Sequence, residues 1–184
     1  MKSWQTLATG ALIAGLSLVG AADKPKPGSS TEKPHRMTLD PTSGNDADAS
    51  FVMTFATRDK IAPQEVRVLI NAAIDGRNAC YVFYGDEDKQ FRLVKNSGSE
   101  SFSREDAEEG KLQNAQCVLD LDRASAEFKD GTLTLRLALH FKSAFKGKRN
   151  VYLWMRSLDG HASGFQLAGT WRVPHGMLLQ GTAN

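Results

Sequence analysis

From Thr132 to Phe141 apolar and polar side chains alternate without a break, Leu133, Leu135, Leu137, Leu139 and Phe141 against Thr132, Thr134, Arg136, Ala138 and His140. A period of two puts the leucines on one face of an extended chain and predicts a half-buried strand rather than a helix. Phe51, Met53 and Phe55 alternate in the same way, as do Val66, Val68 and Ile70. Further strands are predicted at 79–84, 90–94, 116–119, 124–129, 151–156 and 165–173. Asp130-Gly131 falls directly between two of these runs. Both residues tolerate positive φ, so the pair predicts a tight hairpin. Gly85-Asp86, Asn96-Ser97-Gly98 and Asp159-Gly160 read as further turns, and only 104–110 reads as a helical turn, without an apolar stripe. No later stretch sustains a 3.6-residue apolar period, and no internal repeat is visible. About eight or nine short strands joined by turns predict an all-β fold, an antiparallel β-sandwich in preference to a barrel.

The ends of the chain follow other rules. Residues 1–22 carry one positive charge at Lys2, an uncharged and mostly apolar run from Leu7 to Val19, and then the small residues Gly20, Ala21 and Ala22. That is the pattern of a secretory signal peptide. The apolar run is shorter than the ~20 residues a spanning helix needs, so no membrane span is expected once the signal is removed. Residues 23–36 hold three prolines, a Gly-Ser-Ser and alternating charges, the composition of a flexible linker. The expected organisation is signal peptide 1–22, linker 23–36, sandwich 37–174 and a tail over 175–184. The expected location is secreted or periplasmic.

Charge narrows the partners. The chain has 23 basic and 21 acidic residues, a formal charge of +2. The signs are interspersed apart from short clusters such as Lys142, Lys146, Lys148 and Arg149. A nucleic-acid binder concentrates its basic residues on one face, so nucleic acid is not an expected partner.

Cys80 and Cys117 are the only two cysteines, each inside or beside a predicted strand. In an exported chain a Cys80–Cys117 disulfide is the economical reading. A metal site is poorly served because no histidine stands at ligand spacing, and the Cys-x-x-Cys spacing of a redox pair is missing.

Several segments taken in order resemble a bacterial secreted immunoglobulin-like (fibronectin type III-like) module. They are Val66-Arg67-Val68-Leu69-Ile70-Asn71, Asn78-Ala79-Cys80-Tyr81, Asn114-Ala115-Gln116-Cys117, 132–141 with Phe145-Lys146-Gly147, Asn150-Val151-Tyr152-Leu153 and Gly169-Thr170-Trp171. They span roughly residues 50–173. The resemblance implies an antiparallel immunoglobulin-like β-sandwich with the two cysteines at matching positions. It also implies an accessory or surface module, without catalytic residues to carry over.

The histidines are scattered along the chain. His35 falls in the linker and His175 in the tail, His140 points outward from a strand, and His161 lies in a turn. No nucleophile elbow, zinc-binding helix motif or phosphate-binding glycine loop occurs. The oxygen-rich runs Asn45-Asp46-Ala47-Asp48 and Asp86-Glu87-Asp88 lack the register of a calcium loop and read as polar turns. No catalytic residue, metal or cofactor is expected.

The most informative surface is aromatic. If Cys80 and Val82 point inward, Tyr81 and Phe83 point outward; if Val151, Leu153 and Met155 are core, so do Tyr152 and Trp154. Neighbouring strands would gather the four rings on one face, a candidate ligand-binding platform for a protein or a glycan. Trp171 alternates with Gly169 and Val173 and is expected in the core. The function expected is a non-catalytic binding or adhesion-type module. A small exported hydrolase or metal-dependent enzyme, or a purely structural envelope component, is the alternative.

Overall fold

The computed structural model describes residues 36–57 and 60–175, all within the unit Lys33–Asn184. The expected signal peptide, the linker short of Arg36 and the tail beyond His175 lie outside the described residues. In chain order the first strands are β1 (Arg36–Asp40), β2 (Ser43–Asn45), β3 (Asp48–Ala56), β4 (Glu65–Asn71), β5 (Cys80–Gly85), β6 (Gln90–Val94) and β7 (Ser101–Phe102). There follow β8 (Lys111–Gln113), β9 (Cys117–Asp120), β10 (Ser125–Lys129), β11 (Thr132–Phe141), β12 (Gly147–Arg156) and β13 (Gln166–Val173). Two 3-10 turns, Arg104–Asp106 and Ser143–Phe145, are the only helical segments among the described residues. The fold is all-β.

The strands form two sheets that share one core. The first runs β1-β3-β11-β9-β8, with β10 paired to the other end of β11. The second runs β2-β13-β12-β4-β5-β6-β7. Every pairing is antiparallel except β2 with β13. In the first sheet the alternating residues meet in register, Leu133 opposite Phe55, Leu135 opposite Met53 and Leu137 opposite Phe51. The second sheet answers with three inward rows, Met155-Val66-Tyr84, Leu153-Val68-Val82 and Val151-Ile70-Cys80. All of these side chains are buried in one cluster. Each large apolar side chain so removed from water stabilises the fold by about 1.5–3 kcal/mol before the entropy of ordering is set against it.

The disulfide ties the sheets together. Cys80 in β5 and Cys117 in β9 are bonded, with Cα atoms 5.6 Å apart and a sequence separation of 37. In the chain-entropy account, closing a loop of that length contributes about 3–4 kcal/mol. Beside it, the buried Asn114 donates from Nδ2 to the Ala79 and Val94 carbonyls, each at 2.9 Å. Its Oδ1 accepts from the Gln116 and Cys117 backbone N–H groups. One side chain thereby satisfies four backbone groups where the chain enters β9.

Nine of the thirteen strands lie where alternation predicts them, and the Asp130-Gly131 hairpin forms with φ of 52° and 80°. The expected count of eight or nine is too low. The four further strands, β1, β2, β7 and β8, have between two and five residues each. Three of them are too short for a period of two to register, and β1 buries only Leu39. Arg36, expected in the linker, opens β1 opposite Ala56. The helical turn expected over 104–110 narrows to Arg104–Asp106.

Trp171 is core, as its phase implies. Its ring meets Phe51 edge-on at 5.1 Å, and its indole N–H donates to the Asp46 carbonyl at 2.8 Å. Gly44 of β2 packs directly under that indole, where even a methyl group would collide with the ring.

Candidate recognition face

The outward positions of β12, β4 and β5 form two adjoining cross-strand rows. One row reads Tyr152-Leu69-Tyr81 and the next Trp154-Arg67-Phe83. The four rings singled out from the sequence therefore do share one face. They do so with β4 between their two strands, so three strands build the face.

The rings are also less open than strand phase implies. Leu69 and Tyr81 are buried on the outward side, 1% and 6% exposed, in a second apolar cluster with Ala79 and Val94. Phe83, Tyr152 and Phe165 are half-buried against it. Phe165, just before β13, supplies part of the cover, with its ring 6.2 Å from Tyr81 and 6.5 Å from Trp154. Tyr81 and Phe83 meet edge-on at 4.7 Å. Tyr81 is therefore a buried support for this face and not one of its contact residues. At the margin, Leu167 lies opposite Tyr152 in register and is 61% exposed.

Arg67 is the centre of the second row. Its guanidinium lies 4.3 Å from the Trp154 ring centre and 4.7 Å from that of Phe83. Such contacts are worth about 0.5–2 kcal/mol, depending on desolvation. The Glu65 carboxylate accepts from Arg67 Nε on one oxygen and from Arg156 Nη2 at 2.8 Å on the other. Arg67 Nη1 also donates to the Tyr81 hydroxyl at 3.3 Å. Burial acts against the Arg67 charge, and the Glu65 and Tyr81 oxygens outweigh it, so its pKa lies above the ordinary arginine value. Burial raises the Tyr81 phenol above its ordinary value, with Arg67 opposing. Beyond this row an open groove of about 530 Å³ runs over Phe83, Glu65 and Arg92. Three arginines and three carboxylates line it, and Asp88 pairs with Arg92.

The histidines lie elsewhere. His140 Nδ1 is 2.9 Å from an Asp48 oxygen on the outer face of the first sheet, in a hollow of about 240 Å³ shared with Ser50 and Asp120. Both partners are largely exposed, His140 at 54% and Asp48 at 78% of their side chains. His161 pairs with Asp159 in a surface turn. Asp159 is held at a pKa of about 2, chiefly by the Ser157 hydroxyl and then by the His161 backbone. The acidic runs are engaged locally, Asp46 by the Asp48 N–H and Asp86 by Lys89. Among the described residues no three His, Cys, Asp or Glu side chains gather as a metal site, and no helix is long and apolar enough to cross a membrane.

Sequence reasoning missed Arg67, Phe165 and Leu167. The signal for a covered outer face was Leu69, an apolar residue in the outward phase between Val68 and Ile70. No protein-family model matches the chain, and a search of the curated proteins finds no match.

Proposed function

We propose that this chain is an exported, non-catalytic recognition module, an immunoglobulin-like β-sandwich whose second sheet presents its outer face to a protein partner. The observation that carries the reading is the arginine held between Trp154 and Phe83, with Tyr152 and the exposed Leu167 beside it. Tryptophan, tyrosine and arginine in partly desolvated positions are the residues that concentrate binding energy at protein interfaces. The composition favours a protein over a glycan. A sugar stacks on a free ring face, whereas Trp154 already carries Arg67 against it and has Phe165 nearby. The inter-sheet disulfide fits an oxidising compartment, and with the signal-peptide pattern it supports secretion or residence in the periplasm.

A photo-reactive amino acid at Leu167, exposed on this face opposite Tyr152, tests the reading. In an envelope extract it is expected to yield discrete protein adducts, whereas the same group at Ser50 on the other sheet yields none. Adducts from both positions alike, or from neither, would reject the proposal; the second outcome leaves a structural envelope component as the better account. The hydrolase alternative draws on the His140–Asp48 pair beside Ser50. It requires ester or glycoside turnover that His140→Ala abolishes.

A further inference from the structure

The two sheets part at one margin. There the β5–β6 hairpin of the second sheet faces β10 and the chain leading into it from the first, leaving a cleft of about 450 Å³. Its lining is part apolar and part polar. Tyr84 and Phe91 lie opposite each other in register with ring centres 5.0 Å apart, and Leu121, Ala124 and Ala126 form the facing wall. The two alanines keep that wall low, so a slot remains against the rings. Ligand sites are typically apolar concavities of ~300–1,000 Å³ with a few polar groups at fixed positions.

Its charges distinguish it from the other hollows. The groove on the outer face of the second sheet matches three arginines with three carboxylates, and the hollow at His140 mixes both signs. This cleft is lined by Lys89 and Arg104 and by no carboxylate. Lys89 is engaged by Asp86. Arg104, at the start of its 3-10 turn, makes no ion pair with any described residue. Tyr84 is a second pointer. It is only 5% exposed, yet its hydroxyl has no hydrogen-bond partner among the described residues. The ring is packed into the core while the hydroxyl reaches solvent at the cleft, where it is free to bond a ligand.

We propose that this inter-sheet cleft binds a small aromatic carboxylate, its ring against Tyr84 and Phe91 and its carboxylate on the Arg104 guanidinium. Arginine presents paired N–H donors that match a carboxylate. The Tyr84 hydroxyl supplies a further donor at the same cleft. The site is distinct from the outer aromatic face and does not depend on its function.

Calorimetry and amide NMR on the whole oxidised protein test it, with benzoate, phenylacetate and phenylbutyrate as probes and phenylbutanol as the neutral control. At least one acid is expected to bind, with shifts concentrated at the amides of residues 84, 91 and 124. The alcohol is expected to bind about tenfold more weakly, the loss of one charge-assisted contact. Arg104→Gln, a change at an exposed side chain, is expected to weaken the acid by about tenfold and leave the alcohol unchanged. No shifts at those amides with any acid, equal binding of acid and alcohol, or an unaffected Arg104→Gln protein would each overturn the proposal.

Discussion

The two sheets share a core and present opposite outer faces. On the first, the outward positions of β1, β3 and β11 include Thr38, Thr54, Ser50, Arg136 and His140. The apolar residues among those positions are Val52 and the small Ala56 and Ala138, without an aromatic ring. Thr38 and Thr54 share a hydroxyl hydrogen bond of 2.6 Å, and His140 meets Asp48 in the open. On the second, the corresponding positions of β12, β4 and β5 hold Trp154, Tyr152, Leu69, Tyr81 and Phe83, with Arg67 between the rings. An antiparallel sheet can leave one face in water, and the first does so. The second buries apolar side chains on both faces. Stability alone does not require that, since the shared core already occupies the inner face. The difference is why the aromatic face, and not the threonine face, is read as the binding surface.

Matched substitutions on the two faces sharpen this contrast. The largest effect is expected from Tyr81→Ala, which removes a buried ring and should cost about 3–4 kcal/mol in urea denaturation. Its counterpart Thr54→Ala loses one exposed hydroxyl contact and should cost about 0.5–1 kcal/mol. Equal costs would erase the distinction. Next, Arg67→Met removes the contacts with Trp154 and Phe83 and leaves Glu65 with Arg156 alone. A loss of about 1–2 kcal/mol is expected, against at most about 0.5 kcal/mol for Arg136→Met on the other face.

A pH effect separates the faces more finely. The Tyr81 phenol ionises less readily folded than unfolded, because burial raises its pKa. The unfolded chain then loses this proton first as pH rises past the ordinary tyrosine value of about 10. The stability tied to this group is complete below that pH and falls as pH climbs towards the folded value. Tyr84 is raised by burial as well and adds to the decline. Stability curves between neutral and strongly alkaline pH should therefore fall less steeply in Tyr81→Phe than in the parent. The smallest effect belongs to His140→Ala, whose partner is exposed; its denaturation midpoint should match the parent within about 0.5 kcal/mol.

How far the sequence revealed these faces depends on strand length. Long alternating runs identified β3, β4, β11 and β12, because a period of two repeated over several residues leaves little choice of inward side. The strands β2, β7 and β8 have two or three residues and carry no period, so only tertiary pairing reveals them. The pairing of Cys80 with Cys117 was legible because no other intramolecular choice existed. Which strands lie side by side was not legible. The insertion of β4 between β5 and β12, and the reach of Phe165 over the rings, arise from connections that local pattern does not encode. Leu69 alone carried the warning that the outward side of β4 is covered.

The most direct test of the recognition face is quantitative capture of envelope proteins by the whole oxidised chain, compared between Leu167→Glu and Thr54→Glu. Each substitution places a carboxylate on one outer face without touching the shared core. A defined partner should be retained by Thr54→Glu and reduced at least about tenfold by Leu167→Glu, as burying an unpaired charge at an interface would require. A partner held equally by both proteins, or lost only from Thr54→Glu, would contradict it.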